Sequence, residues 1–231
     1  MKILEKIQNI QFGPIKASDY INKDVLKNIV YLTLAIIIFF FGVIVYGIVL
    51  SFRDIPLSEA LLKSGYSEIT KPKIVIDRHN YTLGIYQDSV LIKNYRVSFG
   101  KSVHTPKKRA GDKATPIGVY KICKIYTTHR YYKFFQINYP NLDDGSDALR
   151  KGLISQKEFN DIKFDYYYEA CTKYNNILGG NIGIHGIGEL NYIFKNLPFV
   201  FNWTDGSIAL SNENIDEIYS VIREGTEVVI K

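Results

Sequence analysis

Two glycine-rich stretches of this 231-residue chain hold side chains suited to nucleophilic and proton-transfer chemistry: GGNIGIHGIGEL around His185 and NWTDGSIAL around Ser207. Histidine is the base most often used near neutral pH, and a hydroxyl flanked by glycine can act as a nucleophile. Glycines also let backbone N–H groups approach a ligand closely, the arrangement that stabilises an oxyanion. Each stretch has an ordinary reading as well. A histidine after an apolar strand often serves as a hydrogen-bonded structural residue, and Gly-Ser often marks a turn.

Other chemistries find less support. Cys123 and Cys171 form neither a zinc spacing nor a CxxC pair, so no metal site or redox motif is indicated. A disulfide between them and two half-buried thiols are both open readings, because proximity is not legible in sequence. Cys171, in EACTKYN, is a rival nucleophile, but no glycine-lined turn surrounds it. The net charge of +6 comes from dispersed basic residues, which speaks for an anionic wall or membrane surface and against a nucleic-acid partner.

The elements that must position these residues begin with a membrane segment. Residues 29–50 (IVYLTLAIIIFFFGVIVYGIVL) run without a charge for about 22 residues, enough at roughly 1.5 Å each to cross a hydrocarbon core of about 30 Å. The run is long for a cleaved signal and lacks a small-residue cleavage site behind it, so an uncleaved anchor is expected. Lys2, Lys6, Lys16, Lys23 and Lys27 precede it, whereas only Arg53 and Lys63 follow closely. The expected organisation is a cytoplasmic segment 1–28, a transmembrane helix 29–50, a linker 51–71 and an extracytoplasmic domain 72–231.

Within the linker, LSEALLKSG is a short amphipathic piece closed by Gly65. KIVIDR, TLGIYQ and SVLIKNYRVSFG then read as strands of an antiparallel meander, separated by the turn formers His79-Asn80 and Asp88-Ser89. A basic loop from Lys101 to Thr115 leads to a further strand, GVYKICKIY. The irregular middle contains a helix with a Ser155 to Glu158 capping box. Ile215, Ile218, Tyr219 and Ile222 recur at helical spacing behind Ser211-Asn212, with Gly225 past the last turn, and TEVVIK reads as a closing strand.

From about Lys73 to Lys231 the chain resembles the L,D-transpeptidase catalytic domain family. The opening strands, GDKATPIGVYKI, IGIHG and WTDGSIALSNENIDEIYSVIREGTEVVI are similar to its successive blocks, and INYPN with Asp143 and Asp144 looks like a subgroup that remodels peptidoglycan. The resemblance places His185 as general base and Ser207 where the family carries its catalytic cysteine. Gly206 and Ser207 stand at the oxyanion amides, and Gly186, Thr204 and Asp205 at substrate-binding positions. The family's second block usually reads Ser or Thr, His, Gly, Cys, an apolar residue and Arg; here it reads Thr204, Asp205, Gly206, Ser207, Ile208 and Ala209.

The resemblance implies a mainly β fold, a β-sandwich with a helical insertion and a C-terminal helix, acting on peptidoglycan stem peptides without a cofactor. A thiol near pKa 8.5 forms a thiolate with help from one histidine, whereas a serine hydroxyl needs its proton removed during attack and a third group to orient the imidazole. Two functions are therefore expected alternatives: acyl transfer or hydrolysis through an acyl-enzyme, and a silent module that binds stem peptides.

Overall fold

The uncharged run lies within helix α1 (Lys23–Ser51). The structure, a computed structural model, describes residues 22–51, 54–172, 177–197 and 200–231. Lys2, Lys6, Lys16 and Arg53, which contribute to the charge asymmetry around the run, lie outside the described residues. The chain divides into two compact units, Met1–Val45 and Tyr46–Lys231. In the first, Leu32, Ile38, Phe39 and Phe41 are 63 to 69% exposed. A helix apolar on every side with no core to cover it suits a lipid environment, and its length and composition fit a membrane span or a signal segment.

In the second unit, β1 (Pro72–Asp77), β2 (Thr82–Gln87) and β3 (Val90–Arg96) form the expected antiparallel meander, with a bulge at Ile85/Tyr86. The remaining strands are β4 (Gly118–His129), β5 (Tyr132–Ile137), β6 (Gly183–Gly186), β7 (Ile208–Leu210) and β8 (Glu227–Ile230). Their order across the sheet is β3-β2-β1-β8-β4-β5-β6-β7. Among the described strands, β1–β8 and β6–β7 pair in parallel and the other neighbours antiparallel.

The long β4 pairs with β8 through its first residues and with β5 through the rest. Immediately past β3, Ser98 bridges Ala209 of β7, so the two edges of the sheet meet. The β-sandwich thus takes the form of one bent sheet closed on itself. Ile74, Ile76, Leu83, Ile85, Tyr120, Phe135, Ile184, Ile208 and Val228 from both halves share a single buried core. Closure removes an exposed strand edge and creates a seam beside β6 and β7.

Helix α5 (Asn212–Tyr219) covers this core with Ile215 and Ile218 and is capped by the Ser211 side chain, which accepts from Asn214 N–H. It ends earlier than its periodicity suggests. Ile222 lies beyond it, and Gly225, at φ 91°, serves the turn into β8 instead. The insertion holds α4 (Gln156–Tyr168), with the expected Ser155–Glu158 capping box, and the unanticipated α3 (Leu142–Arg150). Helix α3 carries its own box between Asn141 and Asp144, a local sequence signal beside the short apolar face formed by Leu142, Ala148 and Leu149. Ala148, Ile154, Ile162 and Leu178 give the insertion a small core.

The 51–71 segment contains α2 (Leu57–Lys63), whose Leu57, Ala60 and Leu61 pack with Ile92 of β3. Leu57 N–H donates to Glu217 Oε1 at 3.1 Å. The buried Lys93 ammonium donates to Ile55 O and to Glu217 Oε2, each at 2.8 Å. Residues 55–61 are therefore bound to the domain rather than hanging free.

A disulfide joins Cys123 of β4 to Cys171 behind α4, and no free cysteine occurs among the described residues. The bridge settles the open reading of the two cysteines and removes Cys171 as a nucleophile, because a disulfide sulfur holds no thiolate.

Candidate active site at the sheet seam

His185 and Ser207 stand on the adjacent parallel elements β6 and β7. The register pairs Ile184 with Ile208 and His185 with Ala209, which puts Ser207, one residue ahead of β7, opposite Gly183. Ile184 and Ile208 point into the core at 0% exposure. Strand alternation then sends His185 and Ser207 to the opposite, shared face. Both line a groove of about 1010 Å³, together with Thr204 and Asp205.

The His185 ring is buried against Tyr131, stacked at 4.9 Å between centroids, with Trp203 edge-on at 5.6 Å. Its Nδ1 lies 2.7 Å from Gly186 O. A carbonyl only accepts, so Nδ1 carries the proton and Nε2 is left as the basic nitrogen. Gly186 is therefore the group that sets the tautomer. It does not line the groove, and a side chain there would meet Asn212 Oδ1 at 2.5 Å.

The Ser207 hydroxyl accepts from Gly183 N–H at 3.3 Å, and no hydrogen bond joins it to the His185 ring. Thr204 shapes the preceding turn: its hydroxyl donates to Ser207 O at 2.6 Å and accepts from Gly206 N–H at 3.2 Å. In this conformation the Gly206 amide is thus engaged within the turn. Gly206 has φ 125°, and a Cβ there would stand 2.8 Å from Ala114 O, so only glycine lets this turn pass the basic loop at backbone contact. Asp205 is exposed at the rim.

The basic loop is folded around Asp112, whose carboxylate accepts from the N–H groups of Lys108, Arg109 and Ala114 and from Lys107 Nζ. These bonds hold the Asp112 carboxyl below its ordinary range despite partial burial, which acts in the opposite direction. The loop forms one wall, the β4–β5 turn with His129, Arg130 and Tyr131 another, and Ile177–Ile182 a third. Sequence reasoning did not find His129, Arg130, Tyr131 or Trp203. THRYY looks like any polar hairpin turn, and only the sheet register brings it over β6, where Phe134 pairs with His185.

Burial pushes the His185 pKa down to about 4; His129 and Arg130 add to the depression, while the bond to Gly186 opposes it. The ring is consequently neutral at pH 7. Because the unfolded chain takes up this proton near pH 6.5, stability linked to His185 is complete above that value and is lost as pH falls toward 4, by about 3 kcal/mol. Asp144 works in the other direction: burial raises its pKa to about 6, against hydrogen bonds from Asn141 N–H and Tyr120 O–H. It stabilises the fold at low pH and loses that contribution as pH rises through 6, so whole-protein acid titration would blur the two. His185→Gln removes only the first. Its stability difference from the parent chain, measured by urea unfolding, is expected to shift by about 3 kcal/mol in the variant's favour between pH 7 and pH 4. A difference that stays constant would show that the ring is not held neutral.

The family model described as the L,D-transpeptidase catalytic domain matches residues 71–230. No curated protein sequence matches the chain. Similar solved structures include an L,D-transpeptidase from Xylanimonas cellulosilytica, at 14% identity and TM-score 0.41 over 76% of this chain and 70% of that one. The helical cell shape determining protein Pgp2 from Campylobacter jejuni is 18% identical with TM-score 0.44, over 76% and 55% of the two chains. Bdellovibrio bacteriovorus Bd1075 is 18% identical with TM-score 0.44, over 71% and 48%. The chain spans about half the length of the last two. With the family match covering more than half of its residues, the chain belongs to the L,D-transpeptidase catalytic domain family.

Proposed function

We propose that this chain is a membrane-anchored, extracytoplasmic enzyme that transfers or hydrolyses acyl groups of peptidoglycan stem peptides through an ester on Ser207. The observation that carries the reading is the presence in one groove of the Ser207 hydroxyl and a histidine whose Nδ1 proton is committed to Gly186 O, leaving Nε2 to act as a base. Ser207 Oγ attacks the peptide carbonyl carbon while His185 Nε2 takes its proton and passes it to the departing amine nitrogen. An incoming amine or water then attacks the ester, gives its proton to His185, and Ser207 Oγ leaves and recovers it. The Ser207 N–H is the oxyanion donor of the candidate pair, since Gly206 N–H is bound to Thr204.

The charge-free run 29–50 supports an anchor, and the lysines before it support a domain outside the cytoplasm. The disulfide is in keeping with that compartment. A second reading has support in the missing His185–Ser207 hydrogen bond and the engaged Gly206 amide: a module that binds stem peptides without cutting them. Incubation of the detergent-solubilised chain with purified muropeptides, followed by mass spectrometry, separates the two. Exchanged or shortened stems and an acyl adduct on Ser207 are expected. Binding with neither product would leave recognition alone, and a domain fully protected from protease added to spheroplasts would overturn the placement.

A further inference from the structure

Between β6 and the turn before β7 the usual distribution of side chains is reversed. Asn191 and Asn196 are buried, at 9 and 8% exposure, whereas Leu190, Tyr192, Ile193 and Phe201 are 41 to 68% exposed. In the short helix Asn191–Phe194 the polar side is the bound one. Asn191 Nδ2 donates to Glu213 Oε2 and its Oδ1 accepts from Asn212 N–H, each at 2.9 Å, so amides fasten the segment to the start of α5 and the apolar side chains are left outward. Water drives apolar groups inward; an outward apolar surface held from behind by buried amides suits a different medium.

The course of the chain says which medium that is. The charge-free run ends at Leu50 and α1 at Ser51. Four residues later Ile55 O accepts from the buried Lys93 ammonium, and Leu57 N–H donates to Glu217, which fixes the tether to the domain. At about 3.6 Å per extended residue, Ser51 and Ile55 stand no more than about 14 Å apart, roughly twice the depth of one headgroup layer. Asp54 and Ile55 line a cavity of about 430 Å³ together with Phe194, Lys195 and Leu197, so the reversed segment stands beside the fixed end of the tether.

We infer that Leu190, Tyr192, Ile193 and Phe201 form a membrane-contact surface, seated in the interfacial layer of the bilayer that residues 29–50 cross. The inference rests on the proposed anchor and adds a second attachment to it. Tyrosine and phenylalanine with aliphatic neighbours are the side chains that favour this layer, where a ring is buried while a hydroxyl stays wet. The segment joins β6 to the turn that carries Ser207, so the contact holds the groove near the membrane surface instead of letting it range on a free tether.

Cys123 and Cys171, the two cysteines of the sequence, are joined, so a single added cysteine takes a fluorophore selectively. The full chain with Leu190→Cys, Phe39→Cys or Tyr167→Cys is labelled and reconstituted into vesicles of phosphatidylethanolamine and phosphatidylglycerol that bear a nitroxide near the headgroup or at the chain end. The shallow nitroxide is expected to quench Leu190→Cys about threefold or more strongly than Tyr167→Cys, which is comparably exposed but lies on α4. Phe39→Cys should respond to the deep nitroxide. Adding Tyr192→Ser and Ile193→Ser to Leu190→Cys should bring its quenching down to the Tyr167→Cys level with Tm unchanged, because both side chains are exposed. Undiminished quenching in that variant would show that the tether alone brings the segment close, and equal quenching of Leu190→Cys and Tyr167→Cys would put the surface in water or against another protein; either result overturns the contact. A Phe39→Cys label that no lipid nitroxide quenches would overturn the anchor as well.

Discussion

Ser207→Cys is expected to raise acyl transfer to muropeptides by about 100-fold or more, the equivalent of roughly 3 kcal/mol of barrier. The hydroxyl asks much of its base. His185 is buried, and burial disfavours the imidazolium that must form when the Ser207 proton moves. Among the described residues no carboxylate is hydrogen-bonded to the ring; its Nδ1 proton goes to the Gly186 carbonyl, which fixes the tautomer but adds no full negative charge to stabilise the cation. A thiol near pKa 8.5 gives up its proton far more readily and is a stronger nucleophile once it has done so.

The experiment is clean in this chain because Cys123 and Cys171 are already joined. A thiol-selective reagent should therefore label the variant once, at position 207, and the parent not at all. A serine enzyme already working well would gain little activity. A binding module whose oxyanion donors are lost would stay silent even with a reactive thiol, leaving the recognition reading in place.

Removing the disulfide is expected to have the largest effect on stability. The bridge spans a sequence separation of 48 residues, and closing a loop of that length restricts the unfolded chain by roughly 4 kcal/mol in the entropic account. For a domain of this size that corresponds to a fall of roughly 10 °C in Tm. Thermal unfolding of the Cys123→Ser, Cys171→Ser double variant, and of the parent chain with reductant, measures it, and an unchanged Tm in both would show that the bridge contributes nothing. The effect should reach the groove. The bridge fastens β4 to the segment behind α4, and the chain that follows supplies Ile177, Gly180 and Asn181 to the groove wall. Muropeptide binding should weaken together with the melting temperature.

Much of this architecture is visible in local sequence because its causes are local. The β-branched runs of KIVIDR and TLGIYQ, separated by turn formers, make a meander wherever they are placed. Ser155 with Glu158 caps α4 using groups three residues apart. The helix behind Ser211 follows from Ile215 and Ile218, but its end does not, since Gly225 is needed for a turn and not for a helix cap. Helix α3 is harder to read because its apolar pattern is short, although its box between Asn141 and Asp144 is as local as that of α4.

By itself, the sequence determined the apolar span, the meander, the family and the two glycine-rich blocks that hold His185 and Ser207. The span needs only length and hydropathy, and the blocks carry their glycines in fixed positions. Only the tertiary structure decided how those pieces meet. Parallel pairing of β6 with β7 puts residues 185 and 207 on one face. Closure of the sheet through Ser98 and Ala209 makes the seam, and the β4–β5 register carries His129, Arg130 and Tyr131 over it. The same packing buries His185, and so sets its protonation, and joins two cysteines whose pairing no spacing reveals. Each of these depends on contacts between residues far apart in the chain, where register and burial, not neighbouring residues, govern the free energy.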